Sequence, residues 1–243
     1  RPLVCLTAYS KPLAKILDNH CDIILVGDSL ATAMLGMKDT HHVNLETMIQ
    51  HGISVKSNIN KSLCVVDMPA NSYNNVKQAK KNAKLIFDRT KCDAVKIECN
   101  GKNYKIIKSI IDIGIPVMGH IGFTPQYYKK FKVQGLNKKD HIRLLDQAKK
   151  IEKAGAFSIV LECIKGSLSK EITKSIRIPT IGIGASNHCD GQILVTDDML
   201  GLSGFYPRFV KKFAKLDNII ENGIQKYKKA VLNKKFPSRK NTF

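Results

Sequence analysis

Five short apolar runs in the sequence end in groups that carry charge or exchange protons. VGDS closes one run with Asp28 and Ser29, VVD closes the next with Asp67, and VKIE contributes Lys96 and Glu98. GH then contributes His120, and LE contributes Glu162. Each residue taken alone has a plain structural reading. An Asp after a strand commonly caps the following helix, Lys96 and Glu98 can form a simple ion pair, and a lone histidine is often structural. Their joint placement at five successive run ends is what points to chemistry. Lys96 and Glu98 are two apart on an extended segment, so their side chains project to one face. On an inward face both are costly to bury unless paired or bound to a metal. Asp28, Asp67 and Glu98 then offer hard oxygen donors on three neighbouring strands, and such a set favours Mg²⁺.

The elements that must position these groups follow from hydrophobic patterning. Eight apolar β-rich runs recur: PLVCLTA (2–8), DIILVG (22–27), LCVVDM (63–68), DAVKIE (93–98), IPVMGH (115–120), FSIVLE (157–162), IPTIGI (178–183) and GQILVT (191–196). Runs without polar alternation are strands buried on both faces, and helices between them make the strands parallel. KPLAKILDNH, NLETMIQHGISVKSN, NVKQAKKNAKLIFDRT and KKDHIRLLDQAKKIEKAG have helical character, the last ending at Gly155 as a helix C-terminus does. Between the seventh and eighth runs only ASNHC fits, leaving no room for a helix. The pattern predicts an α/β chain forming one (β/α)8 TIM barrel over 1–243. In that architecture catalytic groups stand at the C-terminal strand ends.

Composition narrows the function classes. The formal net charge is +20, but only six of the 40 basic residues are arginine, and the lysines are scattered over every helical segment. With no Trp and few aromatics, no stacking platform interleaves with that charge, so the expectation is no nucleic-acid partner. No apolar run approaches the roughly 18 residues a bilayer span needs, and the first residues lack a signal-peptide layout. The expectation is therefore a cytoplasmic protein with no membrane partner. The seven cysteines fall in no CxxC or Cys/His ligand spacing, and they read as reduced packing residues.

Nine collinear blocks then carry a resemblance: LVGDSL (25–30), VVDMP (65–69), VKIE (95–98), GHIGFTPQ (119–126), KVQG (132–135), VLEC (160–163), IPTIGIGA (178–185), DGQILV (190–195) and PRF (207–209). In this order the chain, from Thr7 onward, resembles the ketopantoate hydroxymethyltransferase family, whose barrel is of the phosphoenolpyruvate mutase/isocitrate lyase superfamily. The resemblance implies transfer of a one-carbon unit from methylenetetrahydrofolate to 2-oxoisovalerate, giving ketopantoate for pantothenate synthesis. It implies Mg²⁺ at Asp28, Asp67 and Glu98, keto-acid contacts from Asp28, Ser29, Asp67 and Lys96, Glu162 as proton acceptor, and His120 as an active-site residue. It also implies a homo-oligomer, a decamer, and an N-terminal segment closing the barrel bottom that these residues lack. The nearest alternatives are another Mg²⁺-dependent α-keto acid enzyme of that superfamily or, in a different class, a basic nucleic-acid-binding protein or degenerate scaffold. Ser10, Ala31, Ala70, Leu136 and Ser186 depart from the family pattern, and KIECN replaces a glycine-rich KIEGG. These departures bear on loop geometry and rate, and none removes a proposed ligand or the base.

Overall fold

Each apolar run becomes one strand in the computed structural model, which describes residues 1–128, 131–204 and 206–243. The strands are β1 (Leu3–Thr7), β2 (Ile23–Val26), β3 (Leu63–Asp67), β4 (Ala94–Glu98), β5 (Val117–Gly122), β6 (Ser158–Glu162), β7 (Thr180–Ile183) and β8 (Gly191–Leu194). All pair in parallel, in sequence order, and β8 returns to β1 to close the barrel. The helices are α1 (Lys11–Leu17), α2 (Leu30–Ala33), α3 (Leu45–Lys56), α4 (Val76–Thr90), α5 (Tyr104–Ile111), α6 (Lys138–Lys153), α7 (Gly166–Ser175), α8 (Thr196–Leu200) and α9 (Leu216–Leu232).

Local chemistry explains where the long helices start. Asn44, Asn75 and Asn137 each precede a helix in extended conformation, and each side chain accepts the amide hydrogen three residues on. That bond satisfies one of the donors a helix N-terminus otherwise leaves open. Gly155, two residues beyond α6, adopts a positive φ that reverses the chain toward β6.

Alternation along the strands sorts side chains into two cores. Ile24, Val26, Cys64, Val66, Val95, Ile97, Ile159 and Leu161 point outward and pack under the helices. Cys5, Ile23, Leu25, Val65, Ala94, Met118, Val160, Ile181 and Ile193 fill the barrel interior. β5 extends two residues beyond the run read from sequence. Gly122 ends it at φ 101°, where a Cβ would overlap the Glu162 carbonyl of β6. The amide of Phe123 donates to that same carbonyl at 2.8 Å, so the close approach is bonded.

No helix separates β7 from β8, as the short ASNHC segment requires, and the two strands pair through Ile181 with Gly191 and Gly182 with Gln192. Beside this gap two outward residues are uncovered: Val4 of β1 is 45 % exposed and Gln192 of β8, its register partner, is exposed. All eight strands lie in the compact unit Arg1–Val195, and Thr196–Phe243 forms a second compact unit. Within that second unit α9 buries none of its residues, and it exposes Ile220, Ile224, Tyr227 and Val231 at helical spacing. Among the described residues no helix is long and apolar enough to cross a membrane.

Candidate active site

The interior alternation carries the charged residues into one place. Asp67 shares the inward parity of Val65, Lys96 and Glu98 that of Ala94, His120 that of Met118, and Glu162 that of Val160. Register then aligns them laterally, with Asp67 beside Lys96, Glu98 beside His120, and Gly122 beside Glu162. Lys96 and Glu98 thus share one face, as their spacing predicts, and that face is the interior. Asp28 and Ser29 follow β2, at the same end of the barrel.

A line of contacts crosses four strands. Lys96 Nζ lies 2.8 Å from Asp67 Oδ1 and 3.4 Å from His120 Nδ1. His120 Nε2 lies 3.1 Å from Glu162 Oε2. With the ammonium donating to Nδ1, the neutral imidazole carries its proton on Nε2, facing Glu162. Asp28 joins from the side: its backbone N–H donates to Asp67 Oδ2 at 3.0 Å. Ser29 Oγ shares a 2.8 Å hydrogen bond with the Tyr9 hydroxyl.

Electrostatics at this end are unbalanced. Four carboxylates, Asp28, Asp67, Glu98 and Glu162, stand around Lys96, the one buried lysine or arginine among the described residues. Burial, then repulsion from Asp67, raises the Asp28 carboxyl above its ordinary range. Glu98 is raised well above its range by burial and then by Asp28. Glu162 is pushed up to about 8, chiefly by burial. Burial alone would lower Lys96, but Asp67, Asp28 and Glu98 outweigh it and hold the ammonium protonated. His120 is held neutral by burial and by the neighbouring Lys96.

Sequence reasoning missed several residues of this region. Gln126 is buried and donates from Nε2 to Asp28 Oδ2 at 2.8 Å, while its backbone N–H donates to Glu98 Oε2 at 3.0 Å. Tyr73 and His41 bond to Gln126 in turn. None closes a strand or carries permanent charge, so the run-end signal could not find them. The one available cue was the position of Gln126 within GHIGFTPQ.

The donor set fits a hard divalent cation in kind. The carboxylates are oxygen-only and outnumber the ammonium, and the buried Asp67 Oδ1 has Lys96 beside it but no well-aligned hydrogen bond. The geometry is less complete. Among the described residues no three His, Cys, Asp or Glu side chains are gathered to hold a metal ion. Asp28 and Asp67 stand together, whereas Glu98 is engaged by the Gln126 amide and lies 3.8 Å from His120 Nδ1.

Comparisons with known proteins bear on the family and the fold of the chain. A family model described as ketopantoate hydroxymethyltransferase matches residues 1–239. The 3-methyl-2-oxobutanoate hydroxymethyltransferase of Pelagibacter ubique (strain HTCC1062) is 49 % identical over 99 % of this chain and 94 % of its own length. The protein of the same name from Anaplasma marginale (strain Florida) is 48 % identical over 97 % and 86 %. Among solved structures, phosphonopyruvate hydrolase in complex with oxalate and Mg²⁺ superimposes with a TM-score of 0.61 at 12 % identity, covering 99 % of this chain and 88 % of that one. 2,3-Dimethylmalate lyase, of the phosphoenolpyruvate mutase/isocitrate lyase superfamily, gives 0.58 at 14 % identity, covering 99 % and 85 %. These two show the shared barrel fold.

Proposed function

The chain belongs to the ketopantoate hydroxymethyltransferase family, a family of one-carbon transferases, and on that premise we propose that it moves a hydroxymethyl group from methylenetetrahydrofolate to 2-oxoisovalerate, giving ketopantoate for pantothenate synthesis in the cytoplasm. The observation that carries the reading is Glu162. It ends β6 as a carboxylate beside His120 whose side chain is 14 % exposed, with its proton affinity raised toward neutrality, as a general base requires.

In the proposed reaction the C3–H bond of the keto acid breaks and its proton passes to the Glu162 carboxylate. The electron pair shifts into an enolate whose developing charge lies near the Lys96 ammonium. The enolate carbon bonds to the one-carbon unit, which leaves the folate nitrogens as they take up protons, and water supplies the hydroxyl oxygen. Mg²⁺, held by Asp28 and Asp67 with Glu98 as the third carboxylate, would add positive charge to stabilise the enolate oxygen. Ser29 and Lys96 orient the keto acid beside Asp28 and Asp67. His120 stands with Nε2 3.1 Å from Glu162 Oε2 and steadies the carboxylate as it exchanges the proton. The small-molecule partners are thus the keto acid and the folate. The apolar row on α9 supports a homo-oligomer, the decamer of the resemblance, because a second copy of this chain would cover it.

The test is exchange of the C3 hydrogen of 2-oxoisovalerate in deuterated solvent with Mg²⁺ and no folate, followed by NMR. Exchange is expected without folate, and hydroxymethyl product only with it. Absence of both would overturn the reading. Exchange without product when folate is added would instead favour another α-keto acid enolising enzyme on this barrel.

A further inference from the structure

Gln126 takes no part in the proton transfer, yet every hydrogen-bonding group it has is engaged. It lies four residues past β5 and is 8 % exposed. Its Nε2 donates to Asp28 Oδ2 at 2.8 Å and to the Met68 carbonyl at 3.0 Å. Its Oε1 accepts the Tyr73 hydroxyl, its backbone N–H donates to Glu98 Oε2 at 3.0 Å, and its carbonyl oxygen lies 3.2 Å from His41 Nε2. Its partners come from the chain after β2, after β3 and at the end of β4. One residue from the β5–α6 connection therefore touches two of the three carboxylates assigned to the cation.

The residue type matters. An amide fixes a carboxylate oxygen by donation without neutralising its charge, so the carboxylate stays attractive to a cation, whereas a lysine there would compete with the metal. A side-chain amide can also turn end for end, which would set its oxygen against Asp28. Tyr73 prevents that reversal. It is 4 % exposed, burial keeps its hydroxyl protonated, and that hydroxyl, which also has the Tyr127 side chain as a partner, donates to the amide oxygen, while the Met68 carbonyl accepts from the amide nitrogen.

We infer that Gln126, oriented by Tyr73, is a positioning residue that presets Asp28 and Glu98 for the divalent cation. The inference rests on the metal role given to those carboxylates under the proposed function. Partners of this kind, which orient ligands without touching the metal, typically change metal affinity by about 10 to 100-fold when removed. A residue that merely stapled the loops would change stability and leave that affinity alone.

The experiment titrates the full chain with Mn²⁺ alone and follows the free ion by electron paramagnetic resonance. The parent, Gln126→Met, Tyr73→Phe and Asp67→Asn are compared without keto acid. Gln126→Met is expected to weaken Mn²⁺ binding by about 10 to 100-fold. Tyr73→Phe is expected to weaken it by less, in the same direction. Turnover at saturating Mg²⁺ should recover toward the parent value, since the lost property is affinity. If the parent and Asp67→Asn are equally unable to bind Mn²⁺, the metal reading fails and the inference with it. If the parent binds and Asp67→Asn does not, but Gln126→Met and Tyr73→Phe bind as the parent does, the metal reading stands and the inference is overturned. Should Gln126→Met fail to fold, Tyr73→Phe decides alone: unchanged Mn²⁺ affinity in that variant overturns the inference.

Discussion

The two ends of the barrel treat carboxylates in opposite ways. At the end where the strands begin, Asp22, Asp93 and Asp190 precede β2, β4 and β8 and accept backbone N–H bonds from Val4, Cys64 and Thr180 at 2.7 to 2.8 Å. Asp18, at the end of α1, accepts three, from Asn60, Lys61 and Ser62. Burial would raise the Asp18 carboxyl, but those amides outweigh it and hold it at about 2. At the other end Asp28 and Glu98 are buried, Glu162 is largely enclosed beside them, and all three are raised. One residue type is therefore architecture at the bottom and stored repulsion at the mouth. In a parallel barrel that division separates stability from catalysis.

The sharpest way to break the comparison is Glu162→Gln. The amide keeps the volume of the carboxylate but cannot take the proton, so turnover should fall by about 100 to 10,000-fold, with KM for the keto acid moving little. The same change should leave the metal-free protein as stable as the parent or more so at pH 8, measured by urea denaturation. A loss of both stability and turnover would make the mouth carboxylate structural and erase the contrast.

Stability against pH sharpens it further, with opposite signs at the two ends. The folded Glu162 carboxyl is raised above its unfolded value near 4.3. Its contribution is present below that value and is lost as pH rises through about 8, by on the order of a few kcal/mol in the metal-free protein. Asp18 is depressed, so its contribution is present above about 4 and lost as pH falls through about 2, worth roughly 2 kcal/mol. Asp18→Asn should remove the acid limb, lower stability at pH 7 by about 1 to 3 kcal/mol and leave turnover unchanged. Urea midpoints from pH 2 to 9 check both limbs, and a stability that rises between pH 5 and 8 would reverse the assignment at the mouth.

The smallest effect belongs to a third region, the exposed helix faces. Lys77, Lys81 and Lys149 are exposed. Replacing all three with Gln should keep turnover within about a few-fold, because solvated charges this far apart are screened at physiological salt. A larger loss would show that the +20 charge serves the reaction.

Much of this contrast is legible in the sequence for a physical reason. Strands buried on both faces must be apolar throughout, so a charge at the end of such a run, as in VVD or VKIE, marks the point where the chain leaves the apolar layer. The Asn44, Asn75 and Asn137 caps mark the helix starts equally well. Gln126 and Tyr73 were hidden because a neutral polar residue in a loop is indistinguishable from a solvated one until the loop is folded back over β2 to β4. The hydrogen bond from the Gln126 backbone amide to Glu98 depends on the same folding. The separation of Thr196–Phe243 as its own compact unit has no marker in composition.

The helix missing between β7 and β8 has a consequence for how the ring breathes. Elsewhere outward side chains such as Ile24, Val66 and Val95 are sealed beneath helices, while Val4 and Gln192 meet solvent. Amide hydrogen exchange should therefore report lower protection in β8 and β1 than in β3 and β4, because opening there uncovers the least apolar surface. A closed barrel has no edge strands, but parting β8 from β1 creates two, each offering unpaired backbone groups to another chain. The same seam that exchanges first is then where partly opened molecules would begin to associate on heating.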